Sequence, residues 1–323
     1  TDFYANLADI MPDSDLNSLK NDLMSNIESD KDSRGDWEKT YREGLEYLGM
    51  KYEERSQPFE GASGVMHPLL SESVTQFQAQ AYNELLPSQG PVKTQVLGMT
   101  TPETEQQAAR VQEFMNYQLM QVMKEYDPET DQMLFYLPLS GSAFRKVYYD
   151  QNLGRAVSKF IPSEDLIVPY SATDLHSATR ITHVINMPMN DIRKLQQIGF
   201  YSDVDIDSGN MMADETDDIQ EGIDELQGVK PSYDDDDTCK VHEIHTELDI
   251  EGFEDMNAEG EDTGIKLPYI VTIGNNKVLS IRRNYKENDQ LKQRINYFVH
   301  YKFLPGLGFY GFGLTHMIGG LSK

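Results

Sequence analysis

The hydrophobic repeat of this chain changes near residue 143 from the period of a helix to the period of a strand, and that order restricts the folds open to it. Before the change, Leu16, Leu19, Leu23 and Ile27 fall on one helical face, with Asp13 and Ser14 as cap candidates. Trp37, Tyr41, Leu45 and Leu48 make a second stripe, ended by Gly49. Leu70, Val74, Phe77, Ala81 and Leu85 make a third, ended by Pro87, and Val92 to Leu97 reads as a short strand. Thr101-Pro102-Glu103 then offers a cap, a proline where its missing N–H costs nothing, and an acid against the positive helix end. The helix it opens is predicted to reach Tyr126, and Asp127-Pro128-Glu129 repeats the signal for another.

After the change, Phe144 to Asp150 and Arg155 to Ile161 flank Gln151-Asn152-Leu153-Gly154 as a hairpin. Ile181, His183 and Ile185 alternate with Thr182, Val184 and Asn186, and a short helix around Ile192, Leu195 and Ile198 closes at Gly199. Further strands are predicted over Cys239 to Ile250, Tyr269 to Ile273, Lys277 to Tyr285 and Ile295 to Phe303, with Gly274-Asn275-Asn276 as a turn. Helices first and strands later, without regular alternation, predict an α+β fold and not a doubly wound sheet.

Charge narrows the function classes. The chain carries 28 Lys and Arg against 54 Asp and Glu, a net of −26, which repels phosphate and argues against tight nucleic-acid binding through a basic face. Half of that excess lies in residues 202–237, with fourteen acids and one lysine. That segment is expected to be an acidic mobile insert at the surface, holding one short amphipathic helix on Ile219, Ile223 and Leu226. The single cysteine, Cys239, excludes an intrachain disulfide and fits a reducing compartment. The N-terminus is acidic and polar, unlike a signal peptide. The longest apolar stretch, Phe303 to Leu314, is broken by Pro and Gly and is too short to span a bilayer, so no membrane partner is expected.

Several short patterns touch on chemistry without completing it. Gly306-Leu307-Gly308-Phe309-Tyr310-Gly311 spells the dinucleotide fingerprint after a predicted strand. Pro305 stands before its first glycine, two aromatic residues fill the loop, and the ribose-binding acid is missing. A turn that swings a strand into a helix is the better account, with Gly306, Gly308, Gly311 and Gly313 as a structural joint permitting positive φ. His242-Glu243-Ile244-His245 falls one residue short of the zinc-protease signature, and in a strand its two rings face opposite sides. Asp203, Asp205 and Asp207 open like a calcium loop, but Ser208 displaces the glycine to Gly209 and the last ligand position holds Asp214. The run Asp234 to Asp237 reads as solvated. Cys239 near His242 or His245 lacks any further support as a nucleophile. The expectation is therefore a chain that is not an enzyme, with no catalytic, cofactor-binding or metal residues and no cofactor.

Two long ordered stretches carry a resemblance. Gln57-Pro58-Phe59-Glu60-Gly61-Ala62-Ser63-Gly64-Val65-Met66-His67-Pro68-Leu69-Leu70, running on to Glu84-Leu85-Leu86-Pro87-Ser88-Gln89-Gly90-Pro91-Val92-Lys93-Thr94, resembles the N-terminal region of the large portal proteins of short-tailed bacteriophages. Phe298-Val299-His300-Tyr301-Lys302-Phe303-Leu304-Pro305-Gly306-Leu307-Gly308-Phe309-Tyr310-Gly311-Phe312-Gly313-Leu314 resembles the segment leading from the wing of such a protein into its first stem helix. The resemblance implies a portal fold, here mainly the wing: a helical part over 1–142, strand-rich parts over 143–201 and 238–305 around the insert at 202–237, and the joint with the start of the stem helix over 306–323. It implies a homo-oligomer, a dodecamer, at a unique vertex of the viral capsid. Such a ring is a head–tail connector whose channel passes double-stranded DNA, without specific binding, in genome packaging and genome ejection. The implied partners are capsid protein, terminase, and tail or adaptor proteins. The implied location is the virion, assembled in the host bacterial cytoplasm. The apolar run ending at Gly319-Gly320-Leu321-Ser322-Lys323 reads as an unfinished helix, so clip, tunnel loop and crown are expected in a longer chain. The competing expectations are another structural protein of the virion, told apart by ring counting in electron micrographs, and an enzyme, told apart by stoichiometric cofactor or metal.

Overall fold

The computed structural model describes residues 2–48, 68–206, 218–227, 238–257 and 259–322. In chain order their elements are α1 (Asp13–Asp32), α2 (Gly35–Tyr47), α3 (Leu69–Leu85), α4 (Pro102–Tyr117), α5 (Tyr126–Ser140), β1 (Ser142–Asp150), β2 (Arg155–Ile161), β3 (Leu166–Ile167), β4 (Arg180–Pro188), α6 (Met189–Gln197), α7 (Asp218–Gln227), β5 (Thr238–Leu248), β6 (Leu267–Gly274), β7 (Lys277–Arg283), β8 (Phe298–Lys302) and α8 (Leu314–Ser322). Among the described residues eight α-helices and two antiparallel sheets make the fold α+β, as the change of period predicts. The chain divides into two units, each built from two stretches: residues 1–42 with 164–296, and residues 43–163 with 297–323.

The first unit is organised by the sheet β3-β4-β5-β6-β7. One face buries Ile244, Tyr269, Val271 and Ile281 against Leu23 and Ile27 of α1 and Leu7 of a short turn before it. Fully burying such a side chain contributes about 1.5–3 kcal/mol. A buried amide ties the N-terminal turn to the sheet: Asn6 Oδ1 accepts from the N–H groups of Ile281 (2.9 Å) and Ala8 (3.1 Å), and Asn6 Nδ2 donates to Ser202 Oγ (2.9 Å). Asp30 and Arg180 form a largely buried ion pair at 2.7 Å. Burial pushes the Asp30 carboxyl up, and the bond to Arg180 opposes that. Asn275 and Asn276 adopt φ of 44° and 63° in the β6–β7 turn, the left-handed pair that a two-residue hairpin requires.

Four expectations need correction in this unit. Pro12 occupies the cap position of α1 and no side chain caps it, so Asp13 and Asp15 act in the first turn through the helix dipole. β3 is too short to show a period and was not anticipated. Tyr285 and Ile295 lie outside the strands proposed for them. The acidic insert cannot begin at 202, because Tyr201 and Ile206 are buried with Ile192 and Leu279. The predicted short helix is α7, with Ile219 fully buried. The mobility expected for 207–217 and 228–237 falls outside the described residues.

The second unit stacks helices on a smaller sheet, β2-β1-β8. Met133, Leu134 and Leu137 of α5 and Ala143 of β1 form its core, edged by Phe77, Phe160, Tyr301 and Phe303. Arg145 is 3% exposed and is held by Ser158 Oγ (3.0 Å), Thr130 Oγ1 and the face of Tyr126 at 4.7 Å. The 151–154 hairpin is present, with Asp150 Oδ1 accepting from Asn152 N–H at 2.8 Å.

Two readings differ here. The helix opened at Thr101, with its reciprocal Thr101–Thr104 capping box, stops at Tyr117 and not Tyr126. A π-helical turn over Gln118–Val122 follows, and Met123 turns the chain before α5 starts. Val92 to Leu97 is extended but is no strand, because side chains of α4 take its hydrogen bonds. Asn116 bonds both the N–H (2.9 Å) and the carbonyl (3.1 Å) of Val92, and Gln112 Oε1 accepts from Thr94 N–H (3.1 Å). Residues 91–117 thus form a two-layer arm.

Candidate functional site: the glycine-rich joint

Within the second unit, α5 ends and β1 begins at one residue, Gly141, whose φ of 84° is the left-handed helix stop that a side chain resists. The chain leaving β8 returns to this point. Leu304 and Phe312 pair as an isolated antiparallel bridge, with Phe312 N–H donating to the Leu304 carbonyl at 2.8 Å. Residues 305–311 are the loop so closed. Gly311 N–H donates to Ser142 Oγ at 2.8 Å, Phe303 N–H to the Gly141 carbonyl at 3.0 Å, and Thr315 Oγ1 to the Leu139 carbonyl at 3.0 Å. The start of α8 is thereby fastened to the end of α5 through the Thr315 hydroxyl, and the segment before it to Gly141 and Ser142.

The four joint glycines divide by role. None of Gly306, Gly308, Gly311 and Gly313 has a positive φ, which corrects the expected reason for them. Gly311 and Gly313 are needed for close approach. A Cβ on Gly311 would run into the Gly141 carbonyl oxygen. One on Gly313 would meet the Leu139 carbonyl, with the Gly141 nitrogen at 2.7 Å and the Pro138 carbonyl at 2.8 Å. Gly306 is tight against the Tyr310 carbonyl at 3.0 Å, and Gly308 faces open space. The positive φ belongs to Gly141, which sequence reasoning missed; its one signal is a glycine directly after the last apolar turn of a helix.

An aromatic plug seals the joint. Phe309 is 6% exposed, stacks on Phe144 at 5.9 Å and lies 4.8 Å from the His300 ring. His300 Nε2 lies 3.1 Å from Ser142 Oγ. Burial, with Lys302 nearby, pulls the His300 pKa down to about 3, so the ring is neutral at ordinary pH. The Ser142–His300 distance would suit a nucleophile and its base. Ser142 has no exposed surface, however, and its oxygen already receives the Gly311 amide, so the pair works as a tie. Ser140 and Ser163 add hydroxyl bonds to the Ser142 carbonyl.

The other patterns separate in space. The fingerprint glycines sit in the bridged loop, and α8 opens only at Leu314. Two amides that a phosphate loop would direct at a ligand are already used, Gly311 by Ser142 and Gly313 by His316 Nδ1 at 3.1 Å. His242, Glu243 and His245 lie on β5, as the period predicts. Glu243 and His245 share a face and pair at 2.7 Å, while His242 takes the other face. Asp203 and Asp205 line a pocket of about 330 Å³ with Met189, Arg193 and Gln196, whose amide bonds the Ser202 and Val204 carbonyls. Asp207, Ser208, Gly209, Asp214 and Asp234 to Asp237 lie outside the described residues. Cys239 is buried, and burial pushes its thiol pKa up, against nucleophilic use.

Among the described residues no group of three His, Cys, Asp or Glu could hold a metal, and no helix is long and apolar enough to cross a membrane. No protein-family model matches the chain, and a search of curated proteins returns no match.

Proposed function

We propose that this chain is a structural subunit of a portal ring: a dodecamer at one capsid vertex through which a tailed phage packages and ejects its DNA. In that role it hydrolyses nothing. It offers a docking platform to terminase and to tail or adaptor proteins, in a virion assembled in the bacterial cytoplasm. The observation that carries the reading is the segment Phe298 to Leu314, whose residue order resembles the portal passage from wing to stem. In this chain that segment runs from an antiparallel strand, through a glycine-crowded joint, into an apolar helix. The segment Glu84 to Thr94 gives a second resemblance, and most of Gln57 to Leu70 lies outside the described residues. The charge agrees with the role, since a net of −26 opposes adhesion to the phosphate backbone and favours sliding over gripping.

Electron microscopy of intact particles with a label on this chain tests the reading. Signal at a single vertex, from a closed ring, is expected. Signal spread over the whole shell would make the chain another structural protein of the virion. Stoichiometric bound nucleotide or metal with turnover would make it an enzyme.

A further inference from the structure

Between Gly90 and Met123, which are both buried, residues 91–122 run without one buried side chain. All of this run but its π turn is the two-layer arm, and α4, the longer layer, has sixteen residues. An isolated helix of that length is marginal in water, so something other than burial holds it. The half-buried residues of α4 are Thr104, Ala108, Gln112 and Asn116, every fourth position and hence one stripe. In the extended layer Val92, Thr94 and Val96 are half-buried and alternate with exposed Lys93, Gln95 and Leu97.

The helix stripe offers no large apolar side chain, so hydrogen bonds join the layers. Asn116 clamps both the N–H and the carbonyl of Val92, Gln112 Oε1 accepts from Thr94 N–H, and Thr94 Oγ1 donates to the Ala108 carbonyl at 2.9 Å. A Cβ on Gly90, whose φ is 93°, would run into the Asn116 side chain, so the chain enters the arm directly against the clamp. Asparagine forms helix less readily than alanine, so Asn116 weakens α4 taken alone and steadies it only through the other layer. The extended layer belongs to neither sheet, and α4 has no buried face. Each layer therefore depends on the other.

We propose that residues 91–117 are an order–disorder switch latched by the Asn116 amide. The two layers form together and melt together, while α5 and the sheet β2-β1-β8 stay folded. The closed arm presents Val111 and Phe114, one turn apart and 52% and 60% exposed, as a shaped apolar face. Opening dissolves that face, so the latch sets the fraction of time for which it exists. The switch stands apart from the portal reading.

Hydrogen exchange of the intact protein, read by mass spectrometry, tests the switch. Peptides covering Val92 and Thr94 and peptides from α4 should share one protection, about 100-fold below that of α5 and β1. Asn116→Ala should lower the protection of both layers together by about tenfold, because two hydrogen bonds are lost at once. Gln112→Ala removes one and should lower both by about threefold. In neither variant should the exchange of α5 and β1 or the urea midpoint move. The sign separates the switch from a free-standing helix: alanine favours helix, so α4 on its own would gain protection in Asn116→Ala. An α4 that keeps or gains protection there would overturn the latch. An extended layer that loosens alone would overturn the joint melting, and arm amides as slow as those of β1 would overturn the switch itself.

Discussion

The two units handle apolar surface in opposite ways. The first closes on itself: one sheet face is filled by α1 and the N-terminal turn, and a second cluster around Ile192 and Leu279 fills the α6 end. The second unit is the shorter, yet among the described residues it holds fifteen of the large exposed hydrophobic side chains against eight in the first. Monomeric surfaces scatter such residues singly, whereas grouping on one helix and one sheet strip marks interaction surface. The lesson is that one chain can bury its apolar surface in one unit and leave it grouped and open in another.

The largest effect expected from that contrast is in the first core. Tyr269→Ala removes a fully buried ring and should cost about 3–5 kcal/mol, read from urea denaturation, with faster amide exchange across β5 to β7. A loss under about 1 kcal/mol would mean that the larger sheet is less self-sufficient than its packing indicates.

In the joint, Gly313→Ala drives a methyl into three main-chain atoms, and a loss above about 2 kcal/mol is expected. Gly308→Ala meets open space at ordinary φ and should stay within about 0.5 kcal/mol. Equal losses at the two positions would show that glycine serves there for flexibility and not for close approach.

The next effect depends on pH. The folded His300 pKa of about 3 lies below the ordinary value of 6.5, so the unfolded chain binds the proton first. This contribution to stability is whole above pH 6.5 and drains away as pH falls toward 3, at about 1.4 kcal/mol per unit at its steepest. His300→Phe keeps a ring against Phe309 and loses that sensitivity. From pH 7 to 6 to 5 the wild-type urea midpoint should fall relative to that of His300→Phe, and parallel curves would place the proton elsewhere.

The smallest effect completes the contrast. Phe114→Ser and Val111→Ser, on the open face of α4, should move stability by under about 0.5 kcal/mol while lowering retention on a hydrophobic matrix. A core-sized loss would mean that α4 is packed after all.

What the sequence made legible follows from range. Period and capping are local, so α1, α3, α5, the two hairpins and even α7 could be read from nearby residues. The end of α4 could not: Gln118 to Val122 keeps a helical composition, and only the hydrogen-bond pattern widens to a π turn. Val92 to Leu97 has strand composition, but its partners are the amides of Gln112 and Asn116 one helix later. At the joint the glycines were visible and their reason was not, because Gly141 lies 170 residues before Gly311 along the chain. Ser142 carried no signal at all, since a serine beginning a strand is ordinary until Gly311 and His300 arrive beside it.

The crowding of Gly141, Gly311 and Gly313 has a consequence for heredity. In a packed core a larger residue at one position can be relieved by a smaller one opposite. Here the obstacle to a side chain is main chain, which no point mutation trims. Second-site suppressors of an alanine at Gly313 should therefore not arise at Gly141 or Gly311. They should be changes of chain length in the loop between Leu304 and Phe312, the one place where the backbone can be redrawn.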